Sequence, residues 1–122
     1  MKVIVRVSES FKRQVKPLLK KFKSLKQDLA NLENQLIEKP RAGTPIGQDS
    51  YKIRLAVKSK RKGKSGGLRV ISHIHIDTEI IGVVENNGDG VFVTLIAIYD
   101  KSETASISDK DLKDLIIGLQ IK

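Results

Sequence analysis

Between Tyr51 and Ile71 the chain reads "YKIRLAVKSKRKGKSGGLRVI", with eight cationic side chains and no carboxylate. Lys52, Arg54, Lys58, Lys60, Arg61, Lys62, Lys64 and Arg69 repel one another at this density unless an anion compensates. Alternation turns Lys52, Arg54 and Lys58 to one side of a strand, and the flanking strand brings Arg69 onto what should be the same face. Guanidinium groups bind phosphate in two-pronged fashion, which suits Arg54 and Arg69 to a phosphodiester. Cleavage of RNA by its own 2′-OH needs no enzyme nucleophile. It needs alignment, positive charge on the developing phosphorane-like oxygens, and groups that move protons. Lys52, His73 and Tyr99 are the candidates for proton transfer or base stacking, His73 because an unperturbed imidazole titrates near about 6.5. The candidate catalytic set is thus Lys52, Arg54, Arg69, His73 and Tyr99. Lys58, Lys60, Arg61, Lys62 and Lys64 form a candidate RNA-binding loop. No Asp/Glu cluster suggests two-metal hydrolysis, so neither a metal nor another cofactor is expected.

Two neighbouring strings suggest other chemistry and do not carry it. "GKS" at Gly63–Ser65 lacks the glycine five residues earlier, where Lys58 stands, and a strand follows it instead of the helix a phosphate-cradling loop requires. "HIHID" sets His73, His75 and Asp77 on one strand face, but adjacent same-face side chains on one strand rarely converge on one ion.

Elements must position these residues. "KVIVRV" alternates as a short strand, with Val3, Val5 and Val7 to one side. Ser8 or Ser10 can cap the helix whose apolar stripe is Phe11, Val15, Leu18, Leu19 and Phe22. Pro17 inside it predicts a kink. Ser24 with Gln27 reads as a capping box opening a second helix at about Leu25, striped by Leu25, Leu29, Leu32 and Leu36. "RAGTPIGQDS" reads as loop. Strands follow from Tyr51 and from Leu68. A turn at "NNGDG" then precedes an apolar run, Val91 to Ile98, that belongs in the sheet interior. Ser108 caps a C-terminal helix with Asp109 and Asp111 at its positive end. The expected fold class is α+β, with the helices against one face of the sheet, in a single domain spanning residues 1–122.

The charge is polarised along the chain. Residues 1–76 carry a balance of +14 and residues 77–122 a balance of −5. That pattern points to an anionic partner for one surface, nucleic acid before membrane, since no basic segment carries a wide Trp/Phe/Leu face. Cysteine is absent, which excludes disulfides and fits a reducing cytoplasm. The apolar run in "MKVIVRVSES" is short for a signal peptide and no stretch reaches the length of a membrane span, so a soluble cytoplasmic chain is expected.

The segments "FKRQVKPLLKKFKSLKQDLANL", "GTPIGQDSYKIRLAVKSKRKGKSGGLRVI" and "LIAIYDKSETASIS" resemble the RelE/ParE toxins of bacterial type II toxin–antitoxin modules. The resemblance runs from about Phe11 to Leu115, and "GKSGG-x-RVI" followed by "IYDKSE" is its most specific part. It implies two N-terminal helices packed on one face of a mainly antiparallel sheet, with a short C-terminal helix. It also implies a cognate antitoxin that wraps the toxin and blocks its groove. In the RelE-like branch the implied activity is metal-independent cleavage of messenger RNA on the ribosome. In the ParE-like branch it is poisoning of DNA gyrase. By matching strands, Lys52 and Arg54 take the positions of nuclease-branch cations, and Arg69 that of the phosphate-binding arginine. The C-terminal "DLKDLIIGLQIK" lacks the catalytic tyrosine that the nuclease branch often carries there. Expected partners are the antitoxin, messenger RNA and ribosomal RNA. The alternatives are a gyrase inhibitor, or a basic RNA-binding module without catalysis.

Overall fold

Val3 and Val5 turn inward from the first strand, β1 (Lys2–Val7), and Ser8 ends it by starting a helix. The extended backbone of Ser8 lets its Oγ accept from the Phe11 amide at 3.0 Å, satisfying one of the four free donors at the start of α1 (Glu9–Lys21). Phe11, Val15 and Leu18 are the buried stripe of α1, which continues through Pro17. After three residues α2 (Leu25–Glu38) begins, burying Leu25, Leu32 and Leu36. This computed structural model describes residues 2–59, 67–77, 90–101 and 107–120.

The sheet has five strands in the order β1-β5-β4-β3-β2, from β2 (Thr44–Gly47), β3 (Ser50–Leu55), β4 (Leu68–Asp77) and β5 (Gly90–Asp100). β1 runs parallel to β5, and the other neighbours are antiparallel. The protein is therefore α+β, with a mixed five-stranded sheet and three helices among the described residues. As its two-sided apolar sequence requires, β5 lies inside the sheet and is buried on both faces. α1 and α2 cover one face, packing on Ile53, Leu55, Leu68, Val70, Val91, Val93 and Ile98.

Three expectations change. The segment expected as loop before Ser50 contains β2, an edge strand whose Pro45 sits opposite Tyr51. Gln48 and Asp49 both have positive φ (55° and 57°), the geometry of a two-residue mirror-image turn, so β2 and β3 form a hairpin without the usual Asn-Gly signal. Ser24 makes no capping bond; its Oγ donates to the buried Asp28 carboxylate at 2.7 Å, and the capping box is not formed. The C-terminal helix α3 (Asp109–Gln120) does not join the other two. Ser108 Oγ accepts from the Asp111 amide at 3.0 Å, and Leu112 and Ile116 then pack on Ile71, Ile96 and Ala97, on the opposite sheet face. The "NNGDG" turn lies outside the described residues.

The position of Tyr99 depends on one irregularity. Ile71 pairs with Ala97 but Ser72 pairs with Leu95, so β5 carries Ile96 as an extra residue, a bulge. Val91, Val93 and Leu95 face the paired helices, Ile96 and Ala97 both belong to the α3 side, and Ile98 turns back to the first core. Strict alternation from Val91 would have sent Tyr99 toward α1. The bulge sends it to the other face.

Candidate functional site

Arg54, Arg69 and Tyr99 form one rung across three adjacent strands, since Arg54 pairs with Arg69 and Arg69 with Tyr99. Directly opposed residues have Cβ atoms about 5 Å apart, where like charges destabilise the sheet. Lys52 lies one rung away on the same face. These side chains line a cleft of about 410 Å³ with Gly43, Thr44 and Lys101. One wall is backbone. Gly43 has φ +103°, and a Cβ there would lie 2.6 Å from the Lys52 carbonyl oxygen, so only glycine fits.

The electrostatics are one-sided. Among the described residues no carboxylate lines the cleft, and none ion-pairs with Lys52, Arg54, Arg69 or Lys101. Arg54 and Lys101 are exposed and Lys52 is half-buried, so water moderates their charge. Arg69 differs. Its residue is only 6% exposed, and its Nη1 is buried with no hydrogen-bond partner. The Tyr99 hydroxyl beside it is likewise buried and unpartnered. A buried donor left unsatisfied costs about 1–3 kcal/mol, and more when charged. Burial raises the Tyr99 pKa above its ordinary value, and the Arg69 guanidinium pulls it part of the way back. Tyr99 is therefore a protonated donor at neutral pH.

The structure brings Lys52, Arg54, Arg69 and Tyr99 together and adds Lys101, which the sequence reading did not single out. Its signal was its place two residues after Tyr99 in "IYDK". His73 stands apart. It is four residues from Arg69, about 13 Å along β4, with Ile71 and the α3 contact between them. His73 opens into a second cavity, of about 420 Å³, with Arg41, Gln48, Asp49 and His75 among its lining. Ser50 Oγ donates to the Gln48 carbonyl at 3.1 Å and lies 3.2 Å from His73 Nδ1. The roles in that pair depend on the imidazole tautomer, and with the serine proton on the Gln48 carbonyl it is the Nδ1–H tautomer that completes the pair. Burial lowers the His73 pKa, the His75 charge adds to this, and the Asp49 carboxylate and the Gln48 carbonyl oppose it.

Of the candidate RNA-binding loop, Lys58 is exposed and Lys60, Arg61, Lys62 and Lys64 lie outside the described residues. The start of that loop is anchored. Asp28 Oδ2 accepts from the Lys58 amide at 3.3 Å, and Ser24 Oγ accepts from the Ser59 amide at 2.8 Å.

Among the described residues no helix is long and apolar enough to cross a membrane. The arrangement can hold a phosphate between two guanidinium groups, with lysines at its rim and a hydroxyl donor at its side. No protein-family model matches the chain, and no curated protein aligns with it significantly, so the cleft's own chemistry carries the functional reading.

Proposed function

We propose that this chain is the toxin of a type II toxin–antitoxin module, a RelE-like, metal-independent endoribonuclease that cleaves translated messenger RNA by attack of its 2′-OH. The observation that carries the reading is the buried, unpartnered Arg69 guanidinium beside the unpartnered Tyr99 hydroxyl, in a cleft lined by cations. A buried cation without an acid of its own is compensated by an anion from outside. A phosphodiester supplies one, with oxygens for Arg69, Arg54 and Tyr99 at once.

In this reading Arg69 and Arg54 stabilise the charge that grows on the phosphoryl oxygens, and Lys52 and Lys101 hold the flanking backbone. The 2′-oxygen bonds to phosphorus as its proton passes to solvent water and the P–O5′ bond breaks. Tyr99, kept protonated by burial, donates a hydrogen bond to the phosphoryl group or a proton to the departing 5′-oxygen, leaving a 2′,3′-cyclic phosphate and a 5′-hydroxyl. His73 takes no part in the transfer, because it opens into the other cavity. The antitoxin would neutralise the toxin by covering the cleft, and the ribosome would present the message to it.

The test is brief induction in cells followed by primer extension on total message. Wild-type protein should produce discrete cleavage ends and growth arrest, and a folded Arg69→Ala variant neither. Growth arrest retained by Arg69→Ala would remove the nuclease reading. Accumulation of cleaved gyrase–DNA complexes would assign the toxin to gyrase instead.

A further inference from the structure

α3 crosses the second sheet face at Ile71, Ile96 and Ala97, and among the described residues that face is left open on the side away from the cleft. There, Ile4, Phe92 and His75 form another rung across β1, β5 and β4. The His75 ring stacks on Phe92, with centroids 6.3 Å apart and planes at 29°. The Arg6 guanidinium lies 4.3 Å from the centre of the same ring, and its Nε donates to Thr94 Oγ1 at 3.1 Å. Three flat groups from three strands thus form a row in which Arg6 and His75 are exposed and Phe92 is half-buried. Beside the row, sharing His75, is the cavity of about 420 Å³ that Arg41, Asp49 and His73 also line.

We infer that this row and cavity form a second subsite, which stacks and reads an unpaired base of the single strand whose phosphate sits on Arg69. The inference rests on the nuclease reading for the identity of the strand, and on the row itself for the stacking. Bases splayed from single-stranded RNA stack on aromatic rings and guanidinium planes, and every base has a face to offer. Charge complementarity agrees, since Arg6 and Arg41 flank the place where the strand would run. The spacing agrees as well. His75 is six residues from Arg69 on the same face of β4, about 20 Å away in a straight line. Because α3 lies between them the strand must pass around the helix, a path that several nucleotides span and three do not. The cavity adds edge readers. In its Nδ1–H tautomer the neutral His73 ring offers Nε2 as an acceptor, and the Asp49 carboxylate is a second.

The test measures binding of two uncleavable 2′-O-methyl RNAs, a decanucleotide and a trinucleotide too short to reach both places. His75→Ala should weaken the decanucleotide about five- to a hundred-fold, the range of one lost base stack, and leave the trinucleotide unchanged. His75→Tyr, which keeps a ring, should restore the decanucleotide to near wild-type affinity. Unchanged decanucleotide binding by His75→Ala would overturn the inference. So would equal loss for both RNAs, failure of His75→Tyr to rescue, or an effect confined to binding of a protein partner. Arg69→Met separates the two readings. If it binds both RNAs as wild type does while the His75 pattern holds, the cleft reading fails and the subsite stands. If the wild-type protein binds neither RNA, both fall.

Discussion

Arg69 has a buried nitrogen without a partner, which should cost the fold stability, and that is the basis for its proposed role. Its guanidinium is buried beside Arg54 across the strand, with an Nη1 that nothing in the described fold satisfies. Arg69→Met should therefore raise the free energy of unfolding, by about 1–3 kcal/mol if the packing is kept, while RNA binding is lost. Urea unfolding with and without inorganic phosphate checks both halves, because phosphate should stabilise the wild type and not the variant. A variant less stable than wild type would show that Arg69 has a partner after all. His73 gives a second expectation. Its pKa in the fold is lowered, first by burial, so the unfolded chain takes up a proton at a higher pH than the fold does. Stability is then full above the ordinary histidine value, falls as pH drops through it, and levels off below the depressed value. Unfolding followed from pH 8 to pH 5 should show that decline, reduced in His73→Asn. Both residues were named from sequence, by type and strand parity. Sequence could not separate them, because only α3, seated on Ile71, places a helix between positions that parity puts on one face.

At the scale of elements, the helix stripes and the alternation of β3 and β4 were legible because each follows from a local period. What was missed depended on distant partners. Ser24 has the spacing of a capping box, yet its hydroxyl turns to Asp28, which also accepts from the Lys58 amide thirty residues away. This ties the first turn of α2 to the start of the basic loop. Asp28→Ala should cost about 1–3 kcal/mol, since it removes charge-assisted bonds to a buried carboxylate. It should also speed proteolysis between Lys58 and Gly67 relative to wild type, whereas Asp28→Asn should retain part of the protection. Equal cleavage rates would mean that the loop is held elsewhere. The β2–β3 hairpin was hidden for a different reason. Its turn puts Gln48 and Asp49 at positive φ, where glycine or asparagine is the usual signal, and the flanking strands must enforce that geometry.

For the molecule as a whole, the cationic cleft and the basic loop together predict a steep salt dependence. For single strands the logarithm of affinity falls with that of salt by roughly 0.7 per neutralised phosphate contact. Lys101→Gln, at an exposed rim position, should weaken binding of every sequence alike and lower that slope by about 0.7. Titration of a fluorescent single-stranded RNA over a salt series measures it, and an unchanged slope would remove Lys101 from the contact. The sequence by itself determined the polarity of charge, the helix and strand periods, and the pairing of Lys52, Arg54 and Arg69 on one face. Those properties reside in residue type and short spacing. Tertiary structure alone decided that a bulge at Ile96 turns Tyr99 toward Arg69, and that α3 takes the second face and divides it into a cleft and an open row. Both outcomes depend on how elements far apart in the chain fit against each other, and neither leaves a local period to read.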